Sequence, residues 1–361
     1  MRAIYFGAIL TGVATTMLGP LMPGFEARWH LRDSEGGILF AAQFIASVAA
    51  AAAVGVLAKQ FGYWRLVAGG LAVGALGVAG CASGSWTVTV LSVAVFGCGL
   101  GVVVPAANLG VAAAAPGDSA RAVLWLNLFW SIGAVTAAML VATLKSAFLP
   151  SLAAGFVCAA VAVALNGVGH RPARMASPGG IGNLSHAAFA VMLFLYVGAE
   201  SAIAGWVSSY ASRSAGAQQL WAVLASVFWG SILLGRLIAP AVLHRMKAEA
   251  LAPWGLGCAF AGSLLLLAGS GPAAMLAGCA ITGLGLAPIF PVVVASYADR
   301  TGGGSLSGLV FCAANLGGAT IPPLVGLVST ASGSLRLGLA TVLALIAAML
   351  WLQLRLRAEP A

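Results

Sequence analysis

The chain has 361 residues, of which 61% are hydrophobic and only 7% charged, and its formal net charge is +9. Soluble domains carry about 25% charged residues, so a water-wetted surface is excluded and most of the chain must be solvated by lipid. In lipid a chain must span as helices or as a closed barrel, and the apolar runs here are continuous over about 20 residues instead of alternating, which excludes the barrel.

Twelve apolar spans follow one another. Spans 1 to 6 are expected at 3–22, 36–58, 66–83, 87–113, 121–144 and 148–168. The segment after Arg2 has no A-x-A cleavage site and continues straight into the helical pattern, so it reads as a retained first span and not as a signal peptide. A polar stretch follows at 169–185, with His170, Arg171, Pro172, Arg174 and Pro178. Spans 7 to 12 are expected at 187–210, 218–243, 251–270, 273–298, 305–329 and 334–354. The organisation is therefore a six-helix bundle over 1–168, a cytoplasmic linker over 169–185 and a second six-helix bundle over 186–361.

Loop charges set the orientation. With the N-terminus inside, eleven basic residues (Arg2, Lys59, Arg65, Arg121, Arg171, Arg174, Arg245, Lys247, Arg300, Arg355, Arg357) face the cytoplasm and five (Arg28, Arg32, Lys145, Arg213, Arg336) lie outside. Both termini are expected in the cytoplasm, with the chain in a bacterial inner membrane. The positive charge is scattered over short loops, so it reports topology and not nucleic-acid binding.

Forty-eight glycines suit close helix packing, as at Gly70-x-x-x-Gly74 and at Gly97, Gly99 and Gly101. A dinucleotide loop would need a preceding strand, and none is expected. The six cysteines make no CxxC or Cys/His cluster, so neither disulfide nor metal site is expected, and no cofactor. Internal landmarks repeat: Gly12 and Gly19 match Gly198 and Gly205, Gly99-Leu-Gly101 matches Gly283-Leu-Gly285, and Asn127 matches Asn315, at offsets of 186, 184 and 188. Two homologous halves are implied.

The loop between spans 2 and 3 reads Gly55-Val-Leu-Ala-Lys59-Gln-Phe-Gly62-Tyr-Trp-Arg65. It resembles the signature of the major facilitator superfamily, with Gly55, Gly62 and Arg65 in place and Lys59 where the family has an acid. The resemblance implies the all-α fold of two six-helix pseudo-symmetric bundles. It also implies a monomeric secondary transporter of a small-molecule solute across the lipid bilayer. Tyr196-Val-Gly-Ala-Glu200 to Trp206 in span 7, Phe228-Trp229-Gly230 with Gly235-Arg236 in span 8, and Gly283 to Pro291 in span 10 resemble the fucose-permease-like branch. That branch includes sugar:proton symporters, which makes a sugar the first candidate solute and protons the first coupling ion. Its carriers use carboxylates in spans 1 and 4, and this chain has none there.

Ionisable groups inside a membrane helix mark function by default, since burial costs about 2.5–3.5 kcal/mol on insertion scales. Glu200 and Arg236 are the two placed well inside spans. Tyr196, Glu200, Ala204 and Ser208 share a helical face, expected to look into a cavity, with Glu200 relieved by a proton, by solute or by a polar neighbour such as Asn315. Arg236 is expected to snorkel to the interface or to pair with Asp299, a structural role. Asn127, Asn315, Asn108 and Gln43 either bind solute hydroxyls or tie helices together. Trp125, Trp130 and Trp206 either stack on solute or pack. Pro105, Pro288 and Pro291 should bend spans 4 and 10. At the cytoplasmic gate, Gly55, Lys59, Gly62, Arg65 and Asp299 are structural, and Lys59 pairs with Asp118 or Asp299 if the gate is rewired. The charged run Glu26, Arg28, His30, Arg32, Asp33 and Glu35 reads as a solvated, mutually paired connection in the first outer loop, and Asn183-Leu-Ser185 as a chance sequon. Alternatives are a drug or metabolite exporter, against which Gly133-Ala134 stands where exporters carry Gly-Pro, and a receptor or intramembrane enzyme, for which no catalytic constellation is visible.

Overall fold

The computed structural model describes residues 2–115, 119–166, 184–243, 248–269, 271–300 and 308–358. The described elements are helices and short turns. Span 1 is two helices, α1 (Arg2–Thr16) and α2 (Leu18–Trp29), bent by 43°. The bend falls at Met17 because Pro20 has no N–H for the Thr16 carbonyl. The Thr15 and Thr16 hydroxyls bond the Thr11 and Gly12 carbonyls at 2.6 and 3.0 Å, a pattern that also favours bending. Next come α3 (Asp33–Phe61), α4 (Tyr63–Gly80), α5 (Trp86–Ala114), α6 (Ser119–Leu144) and α7 (Phe148–Asn166). Gly62 makes the turn into α4 with a φ of 76°, which explains that glycine without any role in gating.

The later helices are α8 (Leu184–Arg213), α9 (Trp221–Leu243), α10 (Ala248–Ala268), α11 (Pro272–Leu286), α12 (Ile289–Arg300), α13 (Gly308–Ser332) and α14 (Leu335–Ala358). Pro288 breaks span 10 into α11 and α12, as expected, whereas α5 runs unbroken through Pro105.

Among the described residues, ten runs are long and apolar enough to cross a membrane, and the bent pair makes an eleventh. One run, 121–166, is 46 residues long. Straight, it would reach about 70 Å, over twice the hydrocarbon thickness. It is two spans, α6 and α7, separated at Lys145, where φ is 50°. The twelve expected spans are thereby accounted for.

The chain forms two compact units: Met1–Leu21 with Ile38–Ala176, and Met22–Gly37 with Ser177–Ala361. Residues 167–183 of the expected linker region lie outside the described residues.

Glycines set the helix crossings inside each unit. In the first, Gly12 of α1 lies on the Trp130 carbonyl of α6, and Gly133 of α6 on the Ile9 carbonyl; a Cβ at either would overlap the backbone. Gly99 of α5 lies on Gly70 and Gly74 of α4, and Gly97 on Gln43 of α3. The second unit repeats the scheme: Gly198 of α8 and Gly317 of α13 meet, Gly285 of α11 lies on Gly255 and Ala259 of α10, and Gly283 on the Phe228 carbonyl of α9. This corrects the register of the repeat. By packing partner, Gly97 and Gly99 correspond to Gly283 and Gly285, at the same 186-residue offset as Gly12 and Gly198. Gly133 corresponds to Gly317, so Asn315 stands opposite Ser131 and not Asn127, about one helical turn away. Backbones touch only where side chains are missing, so glycine contacts fix register, and a chance identity on a helix surface does not.

Candidate functional site

The second unit holds the membrane-embedded charges. Glu200, near the middle of α8, accepts a 2.7 Å hydrogen bond from the Tyr196 hydroxyl, one turn earlier on the same helix. Arg236 of α9 reaches both: its Nη2 lies 3.4 Å from Glu200 Oε1 and 3.4 Å from the Tyr196 oxygen. Arg236 thus turns to Glu200 and Tyr196 where it was expected to snorkel to the interface, and the side chain of Asp299, its other expected partner, lies outside the described residues. Glu200 is held by Arg236 and Tyr196. Opposite charges on adjacent helices attract strongly where little water screens them.

The Glu200 side chain is 12% exposed and that of Arg236 30%, so the pair has an open edge. The Nε of Arg236 is enclosed and has no hydrogen-bond partner among the described residues. A guanidinium has five N–H donors, and here only Nη2 is bonded to Glu200 and Tyr196, so the fork is under-used. The Tyr196 ring itself is buried and tilted against Phe290 of α12, their centroids 6.0 Å apart.

The expected cavity-facing stripe needs a further correction. Tyr196, Ala204 and Ser208 are buried, and the Ser208 hydroxyl donates to the Trp221 carbonyl at the start of α9 at 3.1 Å. The stripe is an interhelical seam because α8 packs between neighbours, and Glu200 is the member left partly open. Trp206 is corrected as well. It is 0% exposed, and its indole N–H donates to the Pro322 carbonyl of α13 at 2.9 Å, so it packs the core and offers no face to a solute.

In the first unit, Asn127 of α6 donates to the Asn108 side-chain oxygen of α5 at 3.1 Å and to the Val123 carbonyl at 2.9 Å. Asn108 donates to the Val104 carbonyl at 2.8 Å. The amides join the two helices, and Asn127 remains exposed. Trp125 is 46% exposed, and its ring is tilted against Phe129, which stacks on Tyr5 at 4.8 Å between centroids. Gln43 is 2% exposed and donates to the Thr15 carbonyl beside the α1–α2 bend at 3.2 Å, so it ties helices and is closed to solute. Asn315 is half-buried on α13. Lys59 and Arg65 are exposed, and Gly55 half-buried, while Asp118 lies outside the described residues together with the Asp299 side chain.

The sequence reading missed one cluster. Arg213, the last residue of α8, binds Asp33 through both Nη atoms at 2.9 and 2.6 Å and Glu26 at 2.9 Å. The exposed Arg32–Glu35 pair, at 3.5 Å, is the solvated, mutual pairing expected there. The partners are about 180 residues apart in sequence, too far for any local pattern to join them.

Among the described residues, a succession of apolar spans, a glycine crossing scheme found in both units and a partly open Glu200–Arg236 pair are the features of a polytopic membrane protein. The family model of the Major Facilitator Superfamily matches residues 4–302, and the chain belongs to that family. No curated protein matches the chain. Among solved structures, it is similar to the fucose:proton symporter FucP of E. coli at 20% identity, covering 99% of this chain and 98% of that one with a TM-score of 0.66. It is also similar to a bacterial homolog of the human lysosomal transporter Spinster, in its inward-facing and occupied conformation, at 13% identity over 100% and 98% of the two chains with a TM-score of 0.80. The nucleoside transporter NupG matches at 15% identity over 98% of each chain, with a TM-score of 0.77.

Proposed function

We propose that the chain is a secondary carrier of a small polar solute, with a sugar the first candidate, working by alternating access in a bacterial inner membrane with both termini in the cytoplasm and Glu200 as the proton-coupling group. The observation that carries this reading is the partly open Glu200–Arg236–Tyr196 cluster, a charge pair embedded in α8 and α9. FucP, a fucose:proton symporter, and NupG, a nucleoside transporter, support hydroxyl-rich solutes. Within the first unit by itself, the exposed amide of Asn127, bonded to Asn108, is of the kind that binds a hydroxyl.

Coupling follows from competition for Arg236. A solute oxygen that takes an N–H of Arg236 weakens its hold on Glu200, and Glu200 is then better able to accept a proton. Proton binding in turn frees Arg236 for solute, because linkage between two ligands is reciprocal.

Proteoliposome uptake of labelled fucose, other sugars and nucleosides, with and without a pH gradient, tests the reading. Glu200→Gln is expected to abolish gradient-driven accumulation and to leave exchange without a gradient. Loss of binding and exchange together would make Glu200 a solute ligand only. Unchanged accumulation would remove it from the site.

A further inference from the structure

α14 has a packed face and an open one. Leu339, Val342, Ile346 and Met349 are buried, and the helix packs on α8, α10 and α13 of the second unit. Leu337, Ala344, Ala348 and Trp351 are exposed, at spacings that return to one face of a helix. Leu337 is 54% exposed and Trp351 61%. A face this apolar and this open, on a helix long enough to span, is one that acyl chains cover.

The stripe ends in a charge. From Leu335 to Arg355 the helix rises about 30 Å, the thickness of the hydrocarbon, so Arg355 stands where the acyl layer meets the phosphates. Trp351, one turn earlier, suits the same boundary, since its ring is apolar and its N–H polar. The guanidinium carbon of Arg355 lies 5.4 Å from the centre of the Trp351 ring. Arg355 is exposed, and among the described residues that ring is its partner, while no carboxylate or carbonyl takes its N–H groups.

Five donors are thus left open at the edge of the acyl layer. A guanidinium presents them as a planar fork that fits two oxygens of a phosphate. The ring beneath restricts the side chain, so less freedom is lost when a phosphate binds. A zwitterionic headgroup covers its phosphate with its own ammonium, and an anionic headgroup does not. A cation with no acidic partner in the protein therefore selects the anionic lipid. Ala344, Ala347 and Ala348 are exposed and small, so a chain descending from that phosphate can lie against the helix.

We propose that Arg355, positioned by Trp351, binds the phosphate of an anionic phospholipid whose acyl chain lies along the Leu337–Trp351 stripe. The site needs only that α14 spans the membrane, and it is independent of the solute. Native mass spectrometry of the protein released from mild detergent tests it, with phosphatidylglycerol or phosphatidylcholine of the same chains added. The unsubstituted protein is expected to retain phosphatidylglycerol several-fold more strongly than phosphatidylcholine. Arg355→Gln should remove most of that preference, and Arg65→Gln, which removes the same charge from an exposed position in the first unit, should keep it. Trp351→Leu should weaken the preference and Trp351→Phe, which restores a ring face, should recover it. Equal retention by the unsubstituted protein and Arg355→Gln overturns the site, and so does an equal loss in Arg65→Gln, which would reduce the effect to overall charge. Soluble glycerol phosphate that displaces the lipid at equal concentration would overturn the role of the stripe. A dimer in the same spectra that Ala348→Leu dissolves would make the stripe a contact between two copies and overturn the lipid site.

Discussion

Removing either charge of the Glu200–Arg236 pair should cost stability, and removing both should cost less than the two losses together. Stripping one partner from a fully buried pair costs about 3–5 kcal/mol, because a charge is left alone in a poor solvent. Here the contact is long at 3.4 Å, and 30% of the Arg236 side chain is exposed, so water can relieve it. Glu200→Gln also keeps an acceptor for the Tyr196 hydroxyl. We therefore expect a loss of about 1–2 kcal/mol for Glu200→Gln. Arg236→Met should cost more, about 2–3 kcal/mol, because it strands the better-enclosed carboxylate. The double variant should recover about 1–2 kcal/mol relative to the sum. Unfolding of the four proteins in mixed micelles, followed by tryptophan fluorescence, completes the cycle. Additivity to within about 0.5 kcal/mol would show that the two groups do not depend on each other, and the coupling argument would fail with the pair.

Gly133→Ala should strongly impair folding, since its Cβ would overlap the Ile9 carbonyl, whereas Gly69→Ala, with open space around it, should be neutral or mildly stabilising; the yield of monodisperse protein compares them. Trp206→Phe should lower stability by about 1–2 kcal/mol through loss of its bond to the Pro322 carbonyl and leave solute preference unchanged; a shift in preference would return Trp206 to the solute site. Reporter fusions at Ala176 and Gly216 should report the cytoplasm and the outside respectively, and the same side for both would refute the assigned orientation.

Composition alone identified lipid as the solvent of the chain, and through it the class of fold. So few charges and such long apolar runs leave only helices, and the spans follow from their length. The break at Pro288 was legible because proline acts locally on its own helix. The glycine repeat was legible too, though its register was two residues out, since sequence shows which residues recur but not which backbones touch. Glu200 and Arg236 stood out as embedded charges, and their opposite signs were the available hint of the pairing that was missed. Tertiary structure alone decided that Trp206 and Gln43 are closed to solute while Trp125 and Asn127 remain exposed, because burial depends on which face a neighbouring helix covers. It alone joined Arg213 to Asp33 and Glu26. Those residues sit near helix ends far apart in the chain, and only the packing of Met22–Gly37 against α8 and α13 turns a run of loop charges into a shielded, hydrogen-bonded cluster.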